Sequence, residues 1–365
     1  MALLKNIFTD KMLWISATAA ILSTLVSSPQ ISDINFHTIF SLLAMMILVQ
    51  VLENVGLLQY ISTNLTSKAK NTRQLMLALV LLAFFSAMFV TNDVTILIIA
   101  PLFFKIAKKV PLSRTLTIVL ITIAANLGSA FTPFGNTHNL FLLSHYNLSP
   151  LSFFKMTTPI TFIGIVLLLI ITLILTKSKP IEVKIVPLEI NYKKIMATLI
   201  LTIYIFLGIF KVVPTFSAVI IALLFACWLK PQILQQVDYA TILVFICFFI
   251  AVGNISRSPW IADTINRLVA QEHSTYLTSL GLSQFISNVP STILIAKFTH
   301  HIYPILLGSN IGGLGTIIAS MANLLSYKQY VFFTNKKGAL RFLEISFALN
   351  VVLLAILGTI GFLLV

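Results

Sequence analysis

The chain is expected to fold as an all-α polytopic membrane protein, with about 10–11 transmembrane helices, two re-entrant hairpins and two broken helices in an inverted repeat. Three observations carry that expectation. Of 365 residues, 58% are hydrophobic and only 9% charged, against about 25% charged in an ordinary soluble domain. Apolar stretches recur from residue 13 to the end, so the length belongs to one bundle. Finally, a polar signature in an apolar run, "TNDVTILI" at 91–98, returns as "SNVPSTILI" at 287–295.

Taken in order, the apolar runs predict helices at 13–29, 36–60, a hairpin of 74–90 and 95–109, and a broken helix over 114–146. Single spans follow at 159–177, 195–211, 213–229 and 237–256, then a hairpin of 276–286 and 291–299, a broken helix over 302–327, and a last span at 342–364. Helices are expected throughout because backbone amides in hydrocarbon must be satisfied within their own segment. The first stretch is read as a retained helix rather than a cleaved leader, given the many spans behind it. The hydrophilic link 178–194, "SKPIEVKIVPLEINYKK", divides the chain into halves, 1–177 and 195–365.

The formal charge of +14 is topological in this reading. Basic residues sit beside spans rather than on a basic domain with interleaved aromatics, which excludes a nucleic-acid partner. With the N-terminus inside and each polar interruption counted as a hairpin, only Lys155, Lys211, Arg257, Arg267 and Lys297 of the 24 basic residues fall outside. That bias is the one expected of a cytoplasmic face, and it weakens if the hairpins are counted as single crossings. The C-terminus is then outside, and the protein sits in the plasma membrane.

The interruptions are the candidate site. A helix restarting at Val94 or Ser291 presents partial positive charge and free amides to an anion, while carbonyls at the preceding helix ends suit a cation such as Na+. The residues singled out are Thr91, Asn92 and Asp93 at the first tip and Ser287, Asn288, Ser291 and Thr292 at the second. Facing walls come from "ANLGSAFTPFGNTHNL" (125–140), with Gly135, Asn136, Thr137, His138 and Asn139, and from "GSNIGGLGT" (308–316), with Ser309, Asn310, Gly315 and Thr316. Gly128-Ser129 precedes Gly135 as Gly308-Ser309 precedes Gly315, which suggests a common register.

Asp93 is the sharpest residue, since a carboxylate at membrane depth is costly without a partner or a proton. It reads as a coupling residue, with helix capping as its structural alternative. Glu53 either couples or reaches the interface along its stem. His138 titrates, binds substrate or packs; the sequence leaves these open. A Na+ site is expected near Asn92, Asp93, Gly135, Asn288 and Gly315. No cofactor beyond the coupling ion is expected. Cys227 and Cys247 lack metal-ligand spacing, and no phosphate-binding G-x-x-x-x-G-K-[ST] occurs. The six histidines are scattered except for His300 and His301, so no enzyme is expected.

At these residues the chain resembles the ion transporter superfamily that contains divalent anion and sodium symporters, citrate transporters, and arsenite and sodium-proton permeases. The resemblance covers roughly residues 35 to 365 and rests on "TND" with "SNVP", on "ANLGSAFTPFGNTHNL" and on "GSNIGGLGT". It implies a dimerising scaffold and a mobile domain carrying both hairpins, moving as an elevator. In the symporter branch the tips read Ser-Asn-Thr and bind substrate carboxylates. That role falls here on Thr91, Asn92, Ser287 and Asn288, with Gly135, Asn136, Gly315 and Thr316 on the broken helices. Asp93 and Val289-Pro290 depart from that pattern, and Asn-Asp at the first tip looks more like the arsenite and sodium-proton branches. Relatives with the first broken-helix motif often continue Pro-Gln where this chain has Thr137 and His138.

The expected function is secondary transport of a small anion, either a di- or tricarboxylate such as citrate or an inorganic anion, coupled to Na+ or H+. The alternatives are a sodium-proton antiporter or an arsenite and antimonite efflux permease. The expected partners are that anion, the lipid bilayer and a second copy of the chain.

Overall fold

In the computed structural model, residues 7–108, 110–181 and 190–365 are described, and they form helices joined by short turns. Side chains set many of the helix starts. Asp10, Asn35, Asn71, Ser113, Ser149, Asn191 and Asp238 each accept a hydrogen bond from an amide in the first turn that follows, satisfying donors a helix cannot pair itself. The only β pairing among the described residues is an isolated bridge between Asn71 and Pro180.

The first eight helices are α1 (Lys11–Ser23), α2 (Phe36–Val55), α3 (Leu57–Ser67), α4 (Thr72–Val90), α5 (Asn92–Ile106), α6 (Arg114–Ser129), α7 (Thr137–His145) and α8 (Pro150–Leu175). After α9 (Tyr192–Ile209) come α10 (Thr215–Leu229), α11 (Tyr239–Ser256), α12 (Pro259–Leu268), α13 (Glu272–Ile286), α14 (Asn288–Ala296), α15 (Ile302–Gly312), α16 (Met321–Thr334) and α17 (Ala339–Leu364). Six of them, α2, α4, α8, α9, α11 and α17, are long and apolar enough to cross a membrane. Pairs α6/α7 and α15/α16 are helices broken midway. The chain is an all-α, multi-pass membrane protein.

The first helix ends at Ser23 rather than 29 and the second broken helix runs on to Thr334, and three further boundaries depart more deeply from the sequence reading. The helix expected over 36–60 divides at Gly56, whose φ of 75° lies in the left-handed region, where glycine stops a helix at little cost. Its second piece, α3, is a separate short helix. The span expected from 159 begins instead at Pro150, capped by Ser149, and Pro159 lies inside it. An interior proline is tolerated in membrane helices where neighbours re-satisfy the freed carbonyl. The stretch after 256, left without structure, contains α12, strongly amphipathic and with Trp260 exposed.

The element order repeats. A short helix, a 3-10 turn, a long helix, a surface helix, a hairpin, a broken helix and a closing span run from α1 to α8, then again from α10 to α17, with α9 between them. The hairpins open toward opposite ends. The base of α4 is tied to the end of α8, where Thr72 N donates to Lys179 O (2.9 Å) and Thr72 Oγ1 to Lys177 O (2.6 Å). The open end of the second hairpin instead meets the far end of the first broken helix, with Tyr146 Oη donating to Thr299 O (2.7 Å).

Two hydrophobic cores result. One joins α4, α5, α6, α8, α15, α16 and α17 around Leu75, Leu79, Phe103 and Phe342. The other joins α2, α9, α10 and α11 with α7 and the end of α14, around Leu48, Ile205 and Phe245. A half-buried clamp completes the second body. Arg257, just after α11, makes a bidentate contact to Asp33, Nη1 to Oδ1 and Nη2 to Oδ2, both 3.0 Å, and also reaches Ser28 O and Asn254 Oδ1. A Cβ on Gly253 would fall on the Asp33 carboxylate. Gly253→Ala is therefore expected to destabilise the protein by about 1–3 kcal/mol, because the added methyl overlaps the carboxylate and forces the half-buried pair to shift. Thermal melting in detergent measures this, and Gly253→Ala with Asp33→Ala should fall short of additive.

Candidate functional site

Each hairpin turns on a single residue. Thr91 (φ 71°, ψ 154°) and Ser287 (φ 73°, ψ 155°) adopt the same conformation, one that side-chain-bearing residues rarely hold and that costs about 1–3 kcal/mol. The next residue already begins a helix, so α5 starts at Asn92 and α14 at Asn288, rather than at Val94 and Ser291. The tip is tighter than the sequence suggested because one left-handed residue suffices to reverse the chain. Each tip is held from the facing break, with Asn92 N donating to Gly135 O (3.2 Å) and Asn288 N to Ala319 O (3.0 Å).

The breaks are stapled by one asparagine each. Asn139 Nδ2 donates to Ser129 O and Thr132 O, ten and seven residues earlier, at 3.1 and 3.2 Å. Asn323 Nδ2 donates to Gly313 O and Thr316 O, again ten and seven residues earlier, both at 3.0 Å. Thr132 Oγ1 caps Met88 O at the end of α4, and Thr316 Oγ1 caps Gln284 O at the end of α13. Unwound carbonyls at membrane depth need such partners.

The staples are then crossed between repeats. Asn126 Nδ2 donates to Asn323 Oδ1 and Asn310 Nδ2 to Asn139 Oδ1, both at 2.8 Å. This reciprocity fixes the register: Asn126 corresponds to Asn310, Thr132 to Thr316, Gly135 to Ala319, Asn136 to Ser320 and Asn139 to Asn323. Gly128 accordingly corresponds to Gly312, and each lies against the first helix of its own hairpin, Gly128 near Phe84 O on α4 and Gly312 near Leu280 O on α13. The shared GS-x5-G spacing is one helical turn out of this register. Gly308-Ser309 belongs to the turn before, and Gly315 (φ 102°) packs against Gln284.

The two tips differ in how their polar groups are used. Asn92 Nδ2 donates to Asn126 Oδ1 (3.0 Å) and Ser320 Oγ (3.2 Å), and Ser320 Oγ donates to the same Asn126 oxygen (3.0 Å). The corresponding triad is Asn288, Asn310 and Asn136, all buried. There, Asn288 Nδ2 and the Asn136 side chain make no hydrogen bond among the described residues, while the Asn310 side chain faces His138. Ser291 and Thr292 are engaged by Asn288 O (3.0 and 2.6 Å), and Ser309 by Leu306 O (3.3 Å). Thr316 is held by Gln284 through both N and Oγ1. Thr137 opens α7.

Asp93 Oδ1 is buried with no hydrogen-bond partner among the described residues, and His138 is buried beside Asn310. Glu53, by contrast, is exposed in the last turn of α2, apart from the tips. No group of three His, Cys, Asp or Glu able to hold a metal occurs among the described residues. The residues missed in the sequence are Asn126, Thr132, Ser320 and Asn323. Asn126 and Asn323 do lie within or just beyond the quoted motifs, but a lone Asn in a membrane helix gives no sign of cross-pairing.

Paired hairpin tips set against stapled helix breaks, in a repeated order, define a membrane transporter rather than an enzyme. The chain belongs to the citrate transporter family, whose model matches residues 4–306. It is 31% identical over 299 residues to an uncharacterized transporter of Methanocaldococcus jannaschii, covering 81% of each chain. It is 27% identical over 299 residues to the inner membrane protein YbiR of Escherichia coli, covering 81% of this chain and 80% of that one. A transporter of Dictyostelium discoideum named arsB is 27% identical over 165 residues, covering 45% of this chain and 29% of its own.

Proposed function

We propose that this protein is a secondary active transporter of a small anion, of the di- or tricarboxylate class that includes citrate, driven by Na+ or H+. The observation that carries the reading is the asymmetry of the tips. Asn288 and Asn136, the counterparts of the hydrogen-bonded Asn92 and Ser320, are buried with side-chain hydrogen-bonding capacity in reserve, at the N-terminus of α14, where the helix dipole favours an anion. At the other tip, the buried oxygen of Asp93 is an open ligand for a cation or a proton. The proposed ion region takes in Thr91, Asn92 and Gly135, whose carbonyl accepts from Asn92 N, and no resident cofactor is invoked.

The division into two cores suits alternating access of the elevator kind, the second core being where α7 and α14 pack on α2, α9, α10 and α11. The bundle bearing the hairpins would slide against α2, α9, α10 and α11, which would also hold the dimer contact. Binding shifts such an equilibrium only through differential affinity for the two facing states; a doubly occupied, neutral site crosses where an empty charged one does not. The bias of Lys and Arg orients the N-terminus to the cytoplasm and the C-terminus outside, in the plasma membrane.

Asp93 next to Asn92 favours a second reading, cation exchange or arsenite efflux, which the name of the arsB relative also suggests. Proteoliposomes carrying the protein, given labelled citrate, succinate or arsenite under an imposed Na+ gradient and then a pH gradient, decide between them. Citrate or succinate accumulation driven by one gradient is the expected result. Exchange of Na+ for H+ with no anion moving would overturn it, and arsenite movement alone would transfer the protein to the second reading.

A further inference from the structure

The end of the molecule that carries the open side of the second hairpin has a cavity of about 620 Å³, lined by His145 at the end of α7 and Asn147 beyond it, Asn266 on α12, and Lys297 and His300 after α14. A smaller cavity of about 180 Å³ shares His145 and Lys297 with it and continues inward as far as Phe141 on α7 and Ile293 on α14. The two lie between the hairpin helix α14 on one side and α11 and α12 on the other, along the line that leads to the Asn288 tip.

Their charge is lopsided. No acid lines the larger cavity. The single acid on the smaller one is Asp33, whose carboxylate is engaged by Arg257 at 3.0 Å. Of the five basic residues that the charge pattern leaves on the outer face, three gather here. Lys297 lines both cavities, Lys211 donates from Nζ to the lining Asn147, and Arg257 follows the lining Ser256. The nearby acids Asp263 and Glu272 lie on neither wall, and Glu272 is 3.8 Å from His301. His145 is anchored to hairpin carbonyl Ala296 O (3.2 Å), as is Tyr146 Oη (3.2 Å), so the wall keeps its shape around the ammonium group.

We propose that this cavity is an anion-receiving vestibule, in which Lys297, assisted by His300 and Asn266, holds a small carboxylate or oxyanion before it descends to the Asn288 tip. The inference rests on the anion-transport reading and adds a site distinct from the tips. A low-dielectric cleft lined by one sign of charge focuses the field and raises the local concentration of the opposite ion, with effects on arrival rate of about tenfold upward.

The test uses the full chain in right-side-out vesicles, with Cys227→Ser, Cys247→Ser and Asn266→Cys as the reporter. The rates at which the introduced thiol reacts with an anionic and a cationic methanethiosulfonate read the vestibule's potential without any transport. The anionic-to-cationic rate ratio should fall about tenfold on adding Lys297→Glu and stay unchanged with Lys297→Arg, and citrate should slow labelling of the reporter. In a chain that keeps Asn266, Lys297→Glu should raise the KM for citrate about tenfold, with the maximal rate within twofold. An unchanged rate ratio in Lys297→Glu, or labelling indifferent to citrate, would overturn the vestibule. If the thiol results hold while the parent transports no anion, it is the transport reading that fails.

Discussion

Asn139→Ala and Asn323→Ala should each lower substrate uptake by roughly 30-fold or more. Each staple makes three hydrogen bonds, two to carbonyls of its own break and one accepted from the other repeat. Leaving a buried partner unsatisfied costs about 1–3 kcal/mol, although bonds between membrane helices average only about 0.6 kcal/mol. Even at that lower value, three lost bonds amount to about 2 kcal/mol, and about 1.4 kcal/mol is a factor of ten. The loss also lands where it matters, because a break that frays displaces Gly135 O or Ala319 O, which holds the tip. Asn126 staples nothing; it joins the repeats and the first tip. Initial uptake rates, normalised to folded protein by Tm in detergent, measure these effects. An Asn126→Ala, Asn323→Ala double mutant should show coupling, whereas Asn126→Ala with the non-contacting Asn139→Ala should show less. Asn139→Ala transporting at the parent rate would show that the staple does not hold the site.

Why α9 stands outside the repeats follows from parity. In the membrane reading, each repeat crosses four times, through a first helix, a second helix, the broken helix and the closing span, while its hairpin returns to the side it entered. An even number of crossings brings the chain back to its starting face, so a second repeat attached directly would be parallel to the first. One added crossing inverts it. The inversion in turn places the N-termini of α5 and α14 in opposition, which is how two helix dipoles and two asparagines come to share one region.

Much of this was legible because membrane constraint is severe. Few charges, long apolar runs and a one-sided distribution of Lys and Arg allow few architectures, and a polar tripeptide within such a run marks a tip. The register was not legible. Glycine recurs in "GSNIGGLGT" both for packing against α13 and for unwinding, so one spacing match among several glycines misled by a turn, and only the reciprocal asparagine bonds corrected it. The short surface helices α3 and α12 escaped for another reason. They follow a left-handed glycine or a Ser-Pro start and have too few apolar residues to stand out beside a span. The difference in use between Asn92 and Asn288 has no sequence signal at all, since both sit in the same "N" of a repeated motif.

Asp93→Asn should fold at least as well as the parent and yet lose the dependence of uptake on the driving cation, with the rate falling at least tenfold. Asp93 occupies the first turn of α5, and its Oδ1 is buried without a hydrogen-bond partner among the described residues. A charge in that position is costly in a membrane interior, so removing it carries no stability penalty of its own. The same substitution separates the two roles open to the residue. Asparagine caps a helix about as well as aspartate, so if Asp93 only caps α5, Asn substitutes for it and transport continues. If Asp93 carries the ion or proton, Asn removes the single charge that changes between the loaded and empty states, and uptake no longer responds to the Na+ or pH gradient while substrate still binds. The measurement pairs Tm with uptake at several external Na+ concentrations and pH values. A stable Asp93→Asn protein whose uptake retains the parent's cation dependence would move the coupling site away from the first tip, leaving Asp93 as a structural residue and the cation to be sought elsewhere along the crossed asparagines.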